Sequence, residues 1–301
     1  MKIGIIGGAG FLGRNLVSLC AKSGNKFQTL VLDVSEALEV FDRNTVAVEC
    51  VEFNKINNDL NDDDFNACLS DCDCLIDFGA ISDLAECERR PDEAFLVNAV
   101  KVVSLIKACR KHNIKKFIFA SSLYSQNYHS GMYGESKRAA EGLTRYWCNR
   151  LEVPWKILRF GSLYGPNAPA SNGVERFVRE ALDAKREGRS PIYGGRADRT
   201  RRYLHVYDAC QAILNFVDEA AWKQTTNVIN ITGSNIVTAG YVGTLLNEML
   251  GIGEELHFDN SEGLGHYVNS YVALGDEIAS DYSPLFAISL EEGLAAVLKD
   301  D

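Results

Sequence analysis

Seven residues near the start constrain this chain more than any others. Gly7-Gly8-Ala9-Gly10-Phe11-Leu12-Gly13 falls directly after the apolar run Lys2–Ile6 and opens a helical pattern over Phe11–Lys22, which Ser23-Gly24-Asn25 closes. Glycines at these spacings let the chain turn tightly out of a strand, bring its backbone against a pyrophosphate, and pack the next helix close to the strand. The free N–H groups at the start of that helix then face the anion. A glycine turn alone is weak evidence, because any tight turn can use one. Here it is joined by Asp33, which ends a second apolar run over residues 27–33, about 20 residues past the motif. A carboxylate there accepts hydrogen bonds from adenosine ribose hydroxyls and repels a 2′-phosphate. No Arg or Lys follows Asp33 until Arg43, so NAD is expected over NADP.

Apolar runs and helical patterns alternate through the first half. Residues 74–79 read as a strand and 91–112 as a helix with Phe95, Val102, Leu105, Ile106 and Cys109 on one face. Residues 116–120 read as a strand, 133–150 as a helix, and Trp155–Phe160 as a strand. Strands separated by helices predict a parallel sheet with crossover connections. After Gly165-Pro166 the rhythm changes: Gly, Pro, Asn and Arg become denser up to Arg202, before a strand over 227–232 and a helix over 238–251. The division read from this is an NAD-binding domain over 1–165, with later segments at about 203–235 returning to it, and a smaller lobe mainly over 166–301. The acidic run Asp62-Asp63-Asp64 reads as a solvated helix start. At 301 residues, 46% of them hydrophobic, the chain is long enough to bury a sizeable core.

Composition excludes several partners. A net charge of -10 disfavours nonspecific contact with nucleic acid or anionic lipid. The short run at the N-terminus meets glycines too soon for a signal peptide, and no stretch approaches the ~20 apolar residues that span a bilayer. Nine cysteines, an odd number in a large chain, read as reduced thiols in a cytoplasm. Cys68, Cys72, Cys74 and Cys87 lack the paired C-x-x-C spacing of structural zinc. They read as small apolar residues, and no metal is expected.

A second motif, Tyr133-Gly134-Glu135-Ser136-Lys137, places a phenol and an ammonium one helical turn apart on one face. A free tyrosine titrates near ~10 and is a poor base at neutral pH; a neighbouring ammonium favours the phenolate. Upstream, Phe117-Ile118-Phe119-Ala120-Ser121-Ser122 is a strand ending in two hydroxyls, one of which can hold a reacting oxygen.

Together these residues resemble the extended short-chain dehydrogenase/reductase family, in its NAD-dependent nucleotide-sugar epimerase/dehydratase branch. Gly7, Gly10 and Gly13 match its glycine motif, Asp59-Leu60 its acidic-apolar pair near the adenine, and Phe78-Gly79-Ala80-Ile81 its small-residue strand end. Asn98 matches its helix asparagine, and Ser122, Tyr133 and Lys137 its catalytic residues. Leu158-Arg159-Phe160-Gly161-Ser162-Leu163-Tyr164-Gly165-Pro166 and Arg201-Arg202-Tyr203-Leu204-His205-Val206-Tyr207-Asp208 match two later segments, and Ser289-Leu290-Glu291-Glu292-Gly293-Leu294 the closing one. The resemblance implies a Rossmann-type doubly wound parallel sheet of the α/β class with a smaller C-terminal substrate-binding lobe. It implies NAD contacts from Gly7, Gly10, Phe11, Leu12, Gly13, Asp33, Asp59, Leu60, Phe78, Gly79, Ala80, Asn98, Tyr133 and Lys137, with Phe160 beside the nicotinamide. Substrate contacts fall on Ser122, Tyr133, Ser162 and Arg201. A guanidinium fork suits phosphate geometry, and Arg196, Arg199, Arg201 and Arg202 form a basic island in an acidic chain. His205 and Asp208 look like an acid-base pair, but in the family that segment is structural.

The chain also departs from the family. Only the short connection over residues 123–132 separates Ser122 from Tyr133, where members acting on nucleotide sugars usually carry a longer loop. The Asp-Glu pair that the family's 4,6-dehydratases place after the catalytic hydroxyl is Leu123 and Tyr124 here. Ser162 stands where an Asn often contacts the substrate pyrophosphate, and Arg202 where an Asp follows the phosphate-binding Arg. The leading expectation is an epimerase acting on a nucleotide sugar through a transient 4-keto intermediate, with Tyr133 as base and NAD regenerated each turn. The alternative is a dehydrogenase or ketoreductase of a sugar or small alcohol with net hydride transfer; a 4,6-dehydratase or a non-catalytic NAD-binding protein ranks below both. The family's habit of pairing the helices that fall here on 91–112 and 133–150 implies a homodimer.

Overall fold

Both faces of a parallel sheet are covered, so its strands need apolar residues throughout rather than alternation. The segments Ile3–Ile6, Thr29–Leu32 and Cys74–Asp77 are buried at every position, as are all seven residues of Lys116–Ser122 and all six of Trp155–Phe160. The computed structural model describes residues 1–39, 41, 49–52, 67–126, 130–253, 255–261, 279–282 and 288–300. Asp59, Leu60 and the run at Asp62 lie outside the described residues.

The first six strands are β1 (Lys2–Ile6), β2 (Gln28–Asp33), β3 (Glu49–Glu52), β4 (Cys74–Asp77), β5 (Lys116–Ser122) and β6 (Trp155–Phe160). Four short strands follow: β7 (Ser162–Tyr164), β8 (Ile192–Tyr193), β9 (Thr200–Arg201) and β10 (Tyr203–His205). The last four are β11 (Val228–Ile231), β12 (Val237–Thr238), β13 (His257–Phe258) and β14 (Ser280–Tyr282). Among the described residues, eight of these form one sheet in the order β14-β11-β6-β5-β4-β1-β2-β3, with every pairing parallel. The chain winds outward from β1 to β3, then crosses back to β4 and winds the other way. This is the doubly wound Rossmann arrangement, with its switch point between β1 and β4, where such sheets open a crevice at their carboxyl ends.

Helices pack on both faces. Leu16 and Val17 of the Phe11–Lys22 helix join Ala209, Ile213 and Val217 of the Val206–Val217 helix in one apolar cluster. Val102, Leu105, Ile106 and Cys109 of the Lys101–Lys111 helix join Ala140 and Cys148 of the Gly131–Leu151 helix in the other. The C-terminal lobe has a third cluster, built from Tyr164, Val174, Val178, Tyr193, Val242, Leu246 and Leu294. The closing Leu290–Asp300 helix docks there through Gly293, where a Cβ would fall 2.3 Å from the Tyr164 hydroxyl. No helix among the described residues is long and apolar enough to cross a membrane.

Two expectations are corrected. Residues 91–112 are not one regular helix: Pro91–Phe95 is α-helical, Leu96–Val100 is a π turn, and Lys101–Lys111 resumes the α-helix. The extra residue of a π turn advances everything after it by about 100°. Phe95 therefore leaves the face shared by Val102, Leu105, Ile106 and Cys109, and is 38% exposed while those four are buried. The segment after Gly165 also holds a full helix, Gly173–Glu187. Its Asn and Gly residues are end signals: Asn172 accepts from Val174 N and Glu175 N, and Gly188 closes it with φ +66°. Asn172 Nδ2 also donates to Leu163 O at 2.8 Å, tying the cap to β7. Asn172→Ala is expected to lower stability by about 1 kcal/mol, read as a shifted midpoint in chemical denaturation with an unchanged slope.

Candidate active site

At the switch point the backbone itself forms one wall. Gly7 has φ +72°, and a Cβ there would lie 2.7 Å from Gly79 N, so the glycine turn rests directly on the residue that follows β4 and Phe78. A Cβ at Gly13 would lie 2.5 Å from Gly8 Cα, so the first helix rides against the strand end. At Gly10 the same test meets only Gly7 O, at 3.2 Å. Gly10 caps the helix without a side chain, leaving the first-turn N–H groups to an anion. Asp33 accepts from Ala9 N at 2.9 Å and from Val34 N at 2.8 Å, which ties the glycine turn to the end of β2. The cleft so formed, of about 200 Å³, is lined by Gly7, Gly10, Asp33, Phe78, Gly79 and Ala80, with Ile81, Val97 and Lys101 among its other walls. A glycine edge open to a diphosphate, beside a carboxylate placed for ribose hydroxyls, fits the adenosine end of a dinucleotide.

Other expected contact residues fall elsewhere. The side chains of Phe11 and Leu12 are partly buried and pack against the core. Asn98, in the π turn, is buried against the loop after β4: its side chain accepts from Ile81 N (2.8 Å) and donates to Ile81 O (3.0 Å) and Ser136 Oγ (3.0 Å). Phe160 ends β6 in register with Ser122 of β5. Ser162 opens β7 and pairs with Tyr203 of β10, and Arg201 in β9 is half-buried. The basic island is divided: Arg202 donates to Ser234 O at 2.6 Å, and Arg196 pairs with Asp198.

The structure brings Ser122, Tyr133 and Lys137 together. β5 ends at Ser122, where the strand ending in two hydroxyls is expected to end. Ser122 Oγ accepts from Tyr124 N at 3.2 Å. The Tyr124 and Tyr133 rings meet edge to face at 5.7 Å. Lys137 Nζ donates to Ala120 O at 2.8 Å and lies 6.0 Å from the Tyr133 ring centre. The expected depression of the tyrosine is not what this geometry produces. Burial pushes the Tyr133 hydroxyl well above its ordinary value, with Ser122 pulling the other way. Burial also brings the Lys137 ammonium down to about 8, with Asp77 and Glu141 pulling the other way.

Sequence reading missed Glu141, one turn past Lys137. It is buried and accepts from Ser121 Oγ (2.6 Å), Ser125 Oγ (2.7 Å), Arg159 Nε (2.8 Å), Arg159 Nη2 (2.5 Å) and Arg145 Nη2 (3.1 Å). Burial pushes its carboxyl up, but the Arg159 fork and the two hydroxyls outweigh that and hold it below its usual range. The Tyr-x-x-x-Lys spacing extended by one more turn would have found it. Glu88 was missed too: it caps the start of the same helix by accepting from Met132 N at 2.7 Å. His205 is buried, accepts from Tyr207 N at the start of the Val206–Val217 helix, and is pushed down to about 4 by burial. It therefore stands as a neutral cap, while Asp208 accepts from Ile288 N at 2.8 Å.

Comparison with known proteins agrees with this fold. The model of the NAD dependent epimerase/dehydratase family matches residues 3–232. A putative UDP-glucose 4-epimerase of Methanocaldococcus jannaschii is 23% identical over 98% of this chain and 96% of its own length. The crystal structure of UDP-glucose 4-epimerase from Thermotoga maritima with UDP-glucose superimposes with a TM-score of 0.78 at 21% identity, covering 99% of this chain and 98% of that one. That of UDP-glucuronic acid 4-epimerase from Bacillus cereus, in complex with UDP-glucuronic acid and NAD, gives 0.77 at 20% identity over 99% and 98%. At these identities the structures share the fold.

Lys137 carries a pH signature. Its value falls from 10.5 to about 8 on folding. Below pH 8 it is charged in both states and its burial opposes folding in full; between 8 and 10.5 the folded state sheds the proton first, and the penalty fades. Lys137→Met is therefore expected to be the more stable protein at pH 7, by up to a few kcal/mol, because each tenfold change in proton affinity corresponds to about 1.4 kcal/mol. Denaturation at a series of pH values should show that advantage shrinking as pH climbs from 8.

Proposed function

The chain belongs to the NAD-dependent epimerase/dehydratase family, and from that premise we propose that it interconverts a nucleotide sugar and its C4 epimer through a 4-keto intermediate. The observation that carries this reading is the convergence of three side chains at the carboxyl edge of the sheet: Ser122 ends β5, and Lys137, one turn past Tyr133 on its helix, donates to Ala120 O of the same strand and lies 6.0 Å from the Tyr133 ring centre, beside the glycine-walled cleft at the switch point. NAD bound there supplies an acceptor, and then a donor, for the C4 hydrogen. Tyr133 takes the proton of the C4 hydroxyl and later returns it, and Ser122 holds the same oxygen. Lys137 supplies the positive charge that favours the phenolate. Phe160, beside Ser122 in the sheet, forms the wall for the nicotinamide. Ser162 and Arg201 hold the nucleotide diphosphate. In this reading residues 1–165, with the returning strands, hold the cofactor, and 166–301 mainly hold the sugar.

Loss of water from the sugar needs an acid and a base at its C5 and C6. Leu123, which follows Ser122, is buried and apolar, and Tyr124 packs on Tyr133. That favours an epimerase over a 4,6-dehydratase. Net oxidation or reduction of a sugar or small alcohol is the second reading, favoured by the short connection from Ser122 to Tyr133. All nine cysteines are free thiols, which supports a reducing cytoplasm. Leu96 and Val100 in the π turn and Tyr146 in the Gly131–Leu151 helix, the last 58% exposed, are exposed apolar side chains, and in this reading they pack against a second copy.

Tyr133→Phe is expected to lower kcat about 10²–10⁴-fold with sugar binding little changed, measured by NMR of the sugar products and by calorimetry. Epimerisation at full rate in that variant would rule the assignment out. Sedimentation should show a dimer for the parent chain and a monomer for Leu96→Glu/Tyr146→Glu; identical sedimentation of the two would remove this face from the interface.

A further inference from the structure

A buried ion pair lies beside the cleft, which its Lys101 member helps to line. Asp77 ends β4 and is 1% exposed; Lys101 opens the helix after the π turn with its side chain 4% exposed. Lys101 Nζ lies 3.0 Å from Asp77 Oδ1 and donates to Gly79 O at 2.8 Å, while Gly79 N donates to Asp77 Oδ1 at 3.0 Å. A Cβ at Gly79 would fall 2.3 Å from Lys101 Nζ, so the ammonium fills the space a side chain would take. The same glycine supports the Gly7 turn on its backbone side, which stacks the glycine turn, Gly79 and the ammonium. Asn98, three residues before Lys101, grips Ile81 at both N and O. The π turn and the first residue after it thus place two side chains, Asn98 and Lys101, on the loop over residues 77–81.

The pair also sits close to Lys137. Asp77 lies opposite Phe119 in the β4–β5 register, and the Lys137 ammonium is 4.8 Å from the centre of the Phe119 ring. After burial, Asp77 and Lys101 are the strongest influences on Lys137, and they act in opposite directions. Glu141 on its own helix and Cys87 on the Leu84–Arg89 helix act more weakly, and Tyr133 and Ser122 complete its surroundings. A buried ion pair is often no more stabilising than an apolar pair of the same shape, so two charges placed between a cofactor cleft and a lysine invite a functional account.

We propose that Lys101, anchored on Asp77, is a positioning residue of this site: it holds the Gly79 wall of the cofactor cleft and, with Asp77, sets the field in which Lys137 works. The inference rests on the proposed roles of Lys137 and of the cleft, and is independent of which sugar is turned over.

The test follows Lys137 by NMR in protein labelled with ¹³C-lysine, its signal assigned with Lys137→Met, in the absence of sugar. Lys101→Met is expected to move the Lys137 midpoint up by about half a pH unit or more, and Asp77→Asn to move it down by a similar amount. Asp77→Asn/Lys101→Met removes both charges and keeps the shapes, and is expected to return the midpoint close to that of the parent. If a single variant does not fold, Lys101→Gln, neutral and still a donor, takes its place and is expected to raise the midpoint. Calorimetry with NAD should show about tenfold weaker binding to Lys101→Met. A midpoint unmoved in the folded variants overturns the field, and an unchanged NAD affinity overturns the wall. Both readouts precede catalysis, so a failed epimerisation assay with these shifts present would count against the sugar reaction alone.

Discussion

The candidate site is organised around one buried carboxylate. Glu141 takes five hydrogen bonds from Ser121, Ser125, Arg145 and the two-pronged Arg159. Burying an ionised carboxylate is strongly unfavourable unless its acceptor sites are filled, and charge-assisted bonds from a guanidinium fork fill them with directional preference. The consequence is positional. Ser121 ends β5 beside Ser122, Arg159 ends β6 beside Phe160, and Ser125 belongs to the short turn that leaves β5. One side chain therefore fixes the rotation of the Gly131–Leu151 helix against two strand ends. Tyr133, two turns back, and Lys137, one turn back, inherit that rotation.

The cofactor side is organised by close backbone approach. Gly7 on Gly79 and Gly13 on Gly8 leave no room for side chains, so the turn, the first helix and the loop after β4 form one rigid edge. Asp33 joins that edge to β2 through two backbone amides. Polar side chains from the π turn and the residue just after it, Asn98 and Lys101, hold the loop from its far side. π turns recur at functional sites because the inserted residue re-aims side chains without ending the helix. Here the insertion sends Phe95 outward and leaves Asn98 buried at the loop.

What was legible in the sequence was whatever local rules govern. The glycine spacing, the carboxylate at the end of β2 and the one-turn Tyr133–Lys137 separation each express a local constraint, and the β1, β6 and first-helix boundaries stand where apolar period and end signals put them. The misses are non-local. The π turn has no residue signature, and helical periodicity carried straight through it placed Phe95 on the wrong face. The Gly173–Glu187 helix was hidden because its caps, Asn172 and Gly188, read as loop composition. Glu141 and Lys101 carry no local signal, since their partners Arg159 and Asp77 are distant in sequence and meet them only in the folded chain. The effect of burial on Tyr133, which outweighs its local partners, depends on solvent exclusion that no short motif encodes.

The most direct test of the central claim is turnover of UDP- and dTDP-hexoses carrying deuterium at C4, followed by NMR and by absorbance at the NADH band. The account predicts a sugar inverted at C4 that keeps its deuterium, with no accumulation of NADH, because the same cofactor takes and returns the label within one site. NADH rising in step with an oxidised sugar, or a product that has lost water, would contradict it.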